Sequence, residues 1–78
     1  MVTLRLFAQA REAAGTGTVD IEGETVAAVL KAATTRFGPD FAAVVQQCRV
    51  WVDGEPAELE TSVVGSEELA LLPPVSGG

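Results

Sequence analysis

Apolar residues alternate from Val2 to Ala8: Val2, Leu4, Leu6 and Ala8 fall on one side, Thr3, Arg5 and Phe7 on the other. That period of two predicts a half-buried strand, with Phe7 as an aromatic on the polar face. Gln9 to Ala14 is alanine-rich and suits a short helical turn, which Gly15 and Gly17 end. Thr18 to Glu22 alternates again with Val19 and Ile21 inward, so the first two strands are expected to pair antiparallel. Next the period changes. Val26, Val29, Leu30, Ala33 and Phe37 follow i, i+3, i+4, i+7 and i+11, the stripe of an amphipathic helix. Thr25 is placed to cap it, and Gly38-Pro39 to stop it.

Beyond the helix the signals shorten. Asp40 to Gln47 fits a second, smaller helix with Phe41, Val44 and Val45 apolar. Arg49 to Asp53 alternates around Val50 and Val52, with Trp51 on the other face, and Asp53-Gly54 is a hairpin turn. Pro56 marks the strand that follows as an edge or irregular one. Ala57 to Val64 carries acids and few strong signals, and Gly65-Ser66-Glu67 turns the chain into a last strand, Leu69 to Leu72. The expected order is β-β-α-(α)-β-β-β, an α+β fold in which one principal helix packs on one face of a sheet.

Composition narrows the function. The 78 residues make one domain, and 47% of them are hydrophobic, as in a globular chain. No apolar run approaches the roughly 20 residues of a membrane span. No signal-peptide core precedes the first strand, so a cytoplasmic location is the default expectation. One Cys and no His exclude an internal disulfide, a zinc site of Cys and His, and Ser-His or Cys-His catalysis by this chain alone. A net charge of −6 argues against nucleic acid as a partner and suits a partner with a basic docking face, or simply solubility. Cys48, beside apolar residues, reads as a small buried hydrophobe; sulfur carriage on it as a persulfide is the competing idea.

The candidate chemistry lies in the final residues, Leu72-Pro73-Pro74-Val75-Ser76-Gly77-Gly78. A proline pair cannot donate to a sheet ladder, so residues 1–72 form the domain and residues 73–78 an extended arm. Six residues at roughly 3.3 Å each reach about 20 Å, enough to enter another protein's active site. Gly77 and Gly78 lack Cβ atoms, and a slim tip is what an enzyme closing around a peptide carboxylate requires. A frayed glycine-rich tail is the plainer account of such an end. A terminal carboxylate, with its pKa of about 3.5, is ionised and inert at neutral pH. To serve as an acyl or sulfur carrier it must first be activated, and with no phosphate loop and no catalytic pair the chain needs an external ATP-using enzyme to do so.

Two stretches carry a resemblance. Glu68-Leu69-Ala70-Leu71-Leu72-Pro73-Pro74-Val75-Ser76-Gly77-Gly78 resembles the C-terminus of the small, sulfur-carrying subunit of molybdopterin synthase, and Leu6-Phe7-Ala8-Gln9-Ala10-Arg11-Glu12 resembles the motif after that family's first strand. The likeness implies a ubiquitin-like β-grasp fold, a mixed sheet of about five strands with the first and last adjacent and parallel in its centre. It implies a carrier of sulfur as a Gly78 thiocarboxylate, with Gly77 beside it, donating to cyclic pyranopterin monophosphate to form the molybdopterin dithiolene.

The implied partners are the large synthase subunit, in a heterotetramer of two small and two large chains, a ubiquitin-activating-type adenylyltransferase and a sulfurtransferase. ATP is used by the activating partner; this chain is expected to bind no cofactor and no metal. Phe7, Arg11, Leu72, Pro73, Pro74 and Val75 are the expected partner contacts. For Phe7 a covering loop, and for Arg11 a solvated charge, are the ordinary alternatives.

The sequence departs from the family pattern at Leu71 and Leu72, where two aromatics are usual. The Asp-Gly turn before the last strand is shifted to Gly65-Ser66, and Val52-Asp53-Gly54 stands where a Val-Asn turn is common. A related carrier for thiamine or tRNA thiolation, a ubiquitin-like modifier joined to lysines, and a β-grasp adaptor that binds through its sheet are the other expectations.

Overall fold

The computed structural model of the chain describes residues 1–73. Eight elements follow in order: β1 (Val2–Leu6), α1 (Ala8–Ala14), β2 (Thr18–Ile21), α2 (Val26–Phe37), α3 (Pro39–Val45), β3 (Arg49–Val52), β4 (Glu55–Pro56) and β5 (Glu68–Leu72). The strands form one mixed sheet in the order β2-β1-β5-β3-β4. β1 and β5 run parallel in its middle, with Leu4 opposite Leu69 and Leu6 opposite Leu71. The outer pairings, β1 with β2, β3 with β5 and β3 with β4, are antiparallel. This is the β-grasp arrangement that the resemblance implies.

Strand periodicity decides which side chains are buried. Val2, Leu4 and Leu6 of β1, Leu69 and Leu71 of β5 and Val52 of β3 point to the helical side. There they meet Val26, Val29, Leu30 and Ala33 of α2 and Phe41 of α3 in a single core. The Phe37 and Phe41 rings, 5.1 Å apart and tilted by 55°, join the two helices where the chain turns. Gly38 makes that turn at φ 99°, closing α2 and opening α3, with Pro39 in the first helical position. One principal helix was expected on this face, with a smaller one after it and a short helical turn before; α3 and α1 are those two, and they extend the same layer.

Ala8 departs from the expected strand. It is exposed and starts α1 at φ 49°, and Ala10 takes the buried position instead. Strand pairing ends at Leu6, whose N–H bonds Gly17 O at 2.9 Å, and the chain turns through an extended Phe7 into the helix. Gly15 closes α1 in the left-handed region at φ 77°.

The 57–64 stretch, featureless as sequence, has a structural role. It forms one bridge, Thr25 with Ser62, and otherwise lies against the start of α2. Val26 N–H donates to Thr61 O at 3.0 Å and Ala27 N–H to Leu59 O at 2.9 Å, while the Thr25 hydroxyl accepts from Ala28 N–H at 3.2 Å. Three of the donors that a helix start leaves unpaired are thereby satisfied. The expected cap at Thr25 is present, and Val63, 3% exposed, completes the core beneath it.

Candidate functional site

β5 carries the chain toward its C-terminus through the middle of the sheet, so the base of the expected arm is fixed by pairing on both sides. On the open face of the sheet, away from the helices, lie Thr3 and Arg5 of β1, Glu68, Ala70 and Leu72 of β5, and Arg49 and Trp51 of β3. The β2 side of this face is polar: Thr3 Oγ1 donates to Asp20 Oδ1 at 2.8 Å, and Arg5 pairs with Glu68 at 3.3 Å. The β3 side is apolar. Ala70, opposite both Arg5 and Trp51, is nearly covered, and Leu72 and Trp51 lie half-buried on diagonal positions.

Phe7 and Pro73 border one small cleft together with Ala10, Val44 and Cys48. Phe7 is 38% exposed, and the Arg5 guanidinium stands 5.7 Å from its ring centroid. The structure thus gathers Phe7, Leu72 and Pro73, three of the expected contacts, at the C-terminal end of β5. Arg11 is set apart. It lies a turn further along α1, exposed, with its side chain alongside Gly17, where an added Cβ would stand 3.5 Å from Nε. Pro74, Val75, Gly77 and Gly78 lie outside the described residues.

Trp51 belongs to this cluster and was not singled out from the sequence as a contact. The signal was present: an aromatic opposite the inward set of an alternating strand, the same signal that marked Phe7. Pro56, paired with Trp51 and exposed, extends the apolar strip to the sheet edge.

Cys48 lies beside the cleft. Its Sγ donates to Val44 O at 3.3 Å, and burial pushes the thiol above its ordinary pKa. A thiol kept protonated in this way is a poor nucleophile. That environment favours the packing role over sulfur carriage. Among the described residues no cluster of His, Cys, Asp or Glu could hold a metal, and no helix is long and apolar enough to cross a membrane.

What the site offers is an apolar, partly aromatic collar around Pro73, the last described residue.

Comparison with known proteins agrees with the fold. The pattern of the ThiS family matches residues 4–78. Small archaeal modifier protein 1 (SAMP1) of Haloferax volcanii is 35% identical over 99% of this chain and 98% of its own, with a TM-score of 0.80. SAMP1 of Methanosarcina acetivorans is 33% identical over 99% of this chain and 95% of its own, with a TM-score of 0.86. A chain of the BexX/CysO complex of Amycolatopsis orientalis is 27% identical, each covered over 100%, with a TM-score of 0.81. No curated protein matches the chain.

Proposed function

The chain belongs to the ThiS family of small ubiquitin-like sulfur carriers, and from that premise we propose that it is the sulfur-donating subunit of a molybdopterin synthase. The observation that carries this reading is the collar of Phe7, Leu72 and Pro73 at the root of a Pro-Pro-Val-Ser-Gly-Gly arm. A docking surface at the base and a slim reactive tip are the two parts a carrier needs.

In this scheme the Gly78 carboxylate attacks the α-phosphorus of ATP on an adenylyltransferase, giving an acyl adenylate and pyrophosphate. Sulfide supplied by a sulfurtransferase then displaces AMP, leaving a thiocarboxylate. The collar docks on the large subunit, and the arm sets the sulfur beside cyclic pyranopterin monophosphate, so a bimolecular attack becomes a positioned one. The sulfur bonds to a substrate carbon, displacing an oxygen substituent and giving a thioester; water then cleaves the bond between the Gly78 carbonyl and sulfur, leaving sulfur on the substrate and an ordinary carboxylate on the chain. Two sulfurs make the dithiolene, which fits an assembly of two small and two large chains. Arg11, Pro74 and Val75 remain proposed contacts in that assembly, and the chain itself holds neither ATP nor metal.

The similarity to two proteins named as modifiers favours a second reading, in which the activated Gly78 is joined to lysines of other proteins. One reconstitution separates the two. The thiocarboxylated protein is mixed with a large synthase subunit and cyclic pyranopterin monophosphate, and dithiolene product is measured. Product at one molecule per two carriers consumed supports the first reading. No product, together with isopeptide-linked Gly-Gly remnants on lysines when ATP and the activating enzyme alone are supplied, supports the second.

A further inference from the structure

Phe37 and Phe41 pack into or against the core; Phe7 does not. The backbone of Phe7 is fixed. Its φ of −131° and ψ of 155° continue the strand conformation one residue past Leu6. Phe7 O accepts from Ala10 N–H at 3.1 Å and from Arg11 N–H at 3.4 Å, which anchors it at the head of α1. Its ring is another matter. The small cleft it borders covers only part of it, and 38% of the residue stays exposed. A phenylalanine in that setting has more than one staggered χ1 open to it.

What can select one of them is the charged side chain next to it. Arg5 stands two residues earlier, on the same side of the extended chain. Parallel pairing sets Arg5 opposite Ala70, with Glu68 the neighbouring outward residue of β5. Ala70 carries only a methyl group, which leaves the face clear for the arginine stem. The guanidinium then spans two partners: Nη1 donates to Glu68 Oε2 at 3.3 Å, and Cζ stands 5.7 Å from the Phe7 ring centroid.

Neither contact does much for folding. The Arg5 and Glu68 side chains are 47% and 41% exposed, and water screens such a pair. It is nevertheless the one salt bridge among the described residues, and it lies beside the collar. Its effect falls on docking instead. An aromatic anchor that is already fixed when a partner arrives loses less rotamer freedom on binding.

We propose that Arg5 is a positioning residue for docking: tied to Glu68, it holds the Phe7 ring in the one outward rotamer that the partner's surface receives. The proposal rests on the collar being the docking surface of the carrier proposed above. It makes Phe7, not Arg5, the side chain that enters the partner.

The test has one arm without a partner and one with it. In the full-length protein alone, vicinal couplings to Phe7 Cγ report its χ1. Arg5→Met keeps the stem and removes the guanidinium. Wild type should show a single rotamer and Arg5→Met an average over several. Arg5→Lys, which keeps a cation by the ring, should restore most of the single rotamer, and neither variant should lower Tm. Titrated with the large synthase subunit, Arg5→Met should bind about three- to tenfold more weakly, with Arg5→Lys in between. In a Phe7→Ala background Arg5→Met should change affinity no further, because the ring through which Arg5 acts is gone. An averaged ring in wild type, a fixed ring in Arg5→Met, or an equal loss in the Phe7→Ala background would overturn the proposal. Wild-type affinity in Phe7→Ala itself would sink the collar as docking surface, and with it the docking half of the proposal, while the couplings still decide whether Arg5 sets the ring.

Discussion

The two faces of the sheet divide stability from recognition. On the helical face the side chains of the two central strands are apolar and closed off: Leu4, Leu69 and Leu71 are each 0% exposed. On the open face the same strands carry Arg5, Trp51, Leu72 and Glu68, none of them buried. β5 shows the split within five residues, since Leu69 and Leu71 hold the core while Leu72 helps form the collar. A side chain on the first face is fixed by what the chain needs to fold. A side chain on the second is free to be chosen for a partner. Substitutions should therefore fall into two classes, with stability loss and partner loss running in opposite directions.

The largest stability loss is expected for Leu69→Ala, at about 2–5 kcal/mol, because a cavity would open between β1, β3 and α2. Denaturant unfolding measures it; a loss no larger than that of an open-face variant would erase the distinction between the faces. Gly23→Ala comes next, at about 1–3 kcal/mol. A Cβ there would stand 2.7 Å from Val29 Cγ2 and 2.9 Å from Val29 N, so the start of α2 must shift. An unchanged Tm in this variant would show that the start of α2 yields without loss.

Phe7→Ala belongs to the other class. Its ring is part-exposed and its defined partner is a cation–π contact worth about 0.5–1 kcal/mol, so folding should change little. Titration against the large subunit should instead show affinity lower by about tenfold or more. Trp51→Ala should behave alike, and retained affinity in both would remove the collar from the interface. Arg11→Ala should have the smallest effect on binding of the three, because its side chain lies by Gly17 rather than at the cleft. A loss equal to that of Phe7→Ala would mean that the partner reaches across α1.

Legibility followed the same division. The inward sets of β1, β2, α2 and β3 were readable because burial imposes a strict period on the side chains. The hairpin at Asp53-Gly54 was readable because two successive residues at positive φ, 48° and 84°, select those residue types. Ala8 misled because alternation alone cannot show that hydrogen bonding stops at Leu6. The role of residues 57–64 was hidden for a related reason: their backbone groups, not their side chains, serve α2, and backbone pairing leaves no trace in composition. In the site, Phe7 and Pro73 were legible singly, but their meeting with Leu72 required the parallel pairing of β1 with β5, a contact between opposite ends of the chain. Trp51 carried the same signal as Phe7, but its place beside Leu72 depends on the pairing of β3 with β5, strands distant in sequence.

Intact mass measurement of the full chain, after incubation with ATP, an activating enzyme and a sulfide source, tests the central claim most directly. The account predicts a gain of about 16 Da, oxygen replaced by sulfur at Gly78, absent in a Gly77→Ala variant whose Tm is unchanged. An unmodified terminus under conditions that load another member of the family, or sulfur found on Cys48 instead, would contradict it.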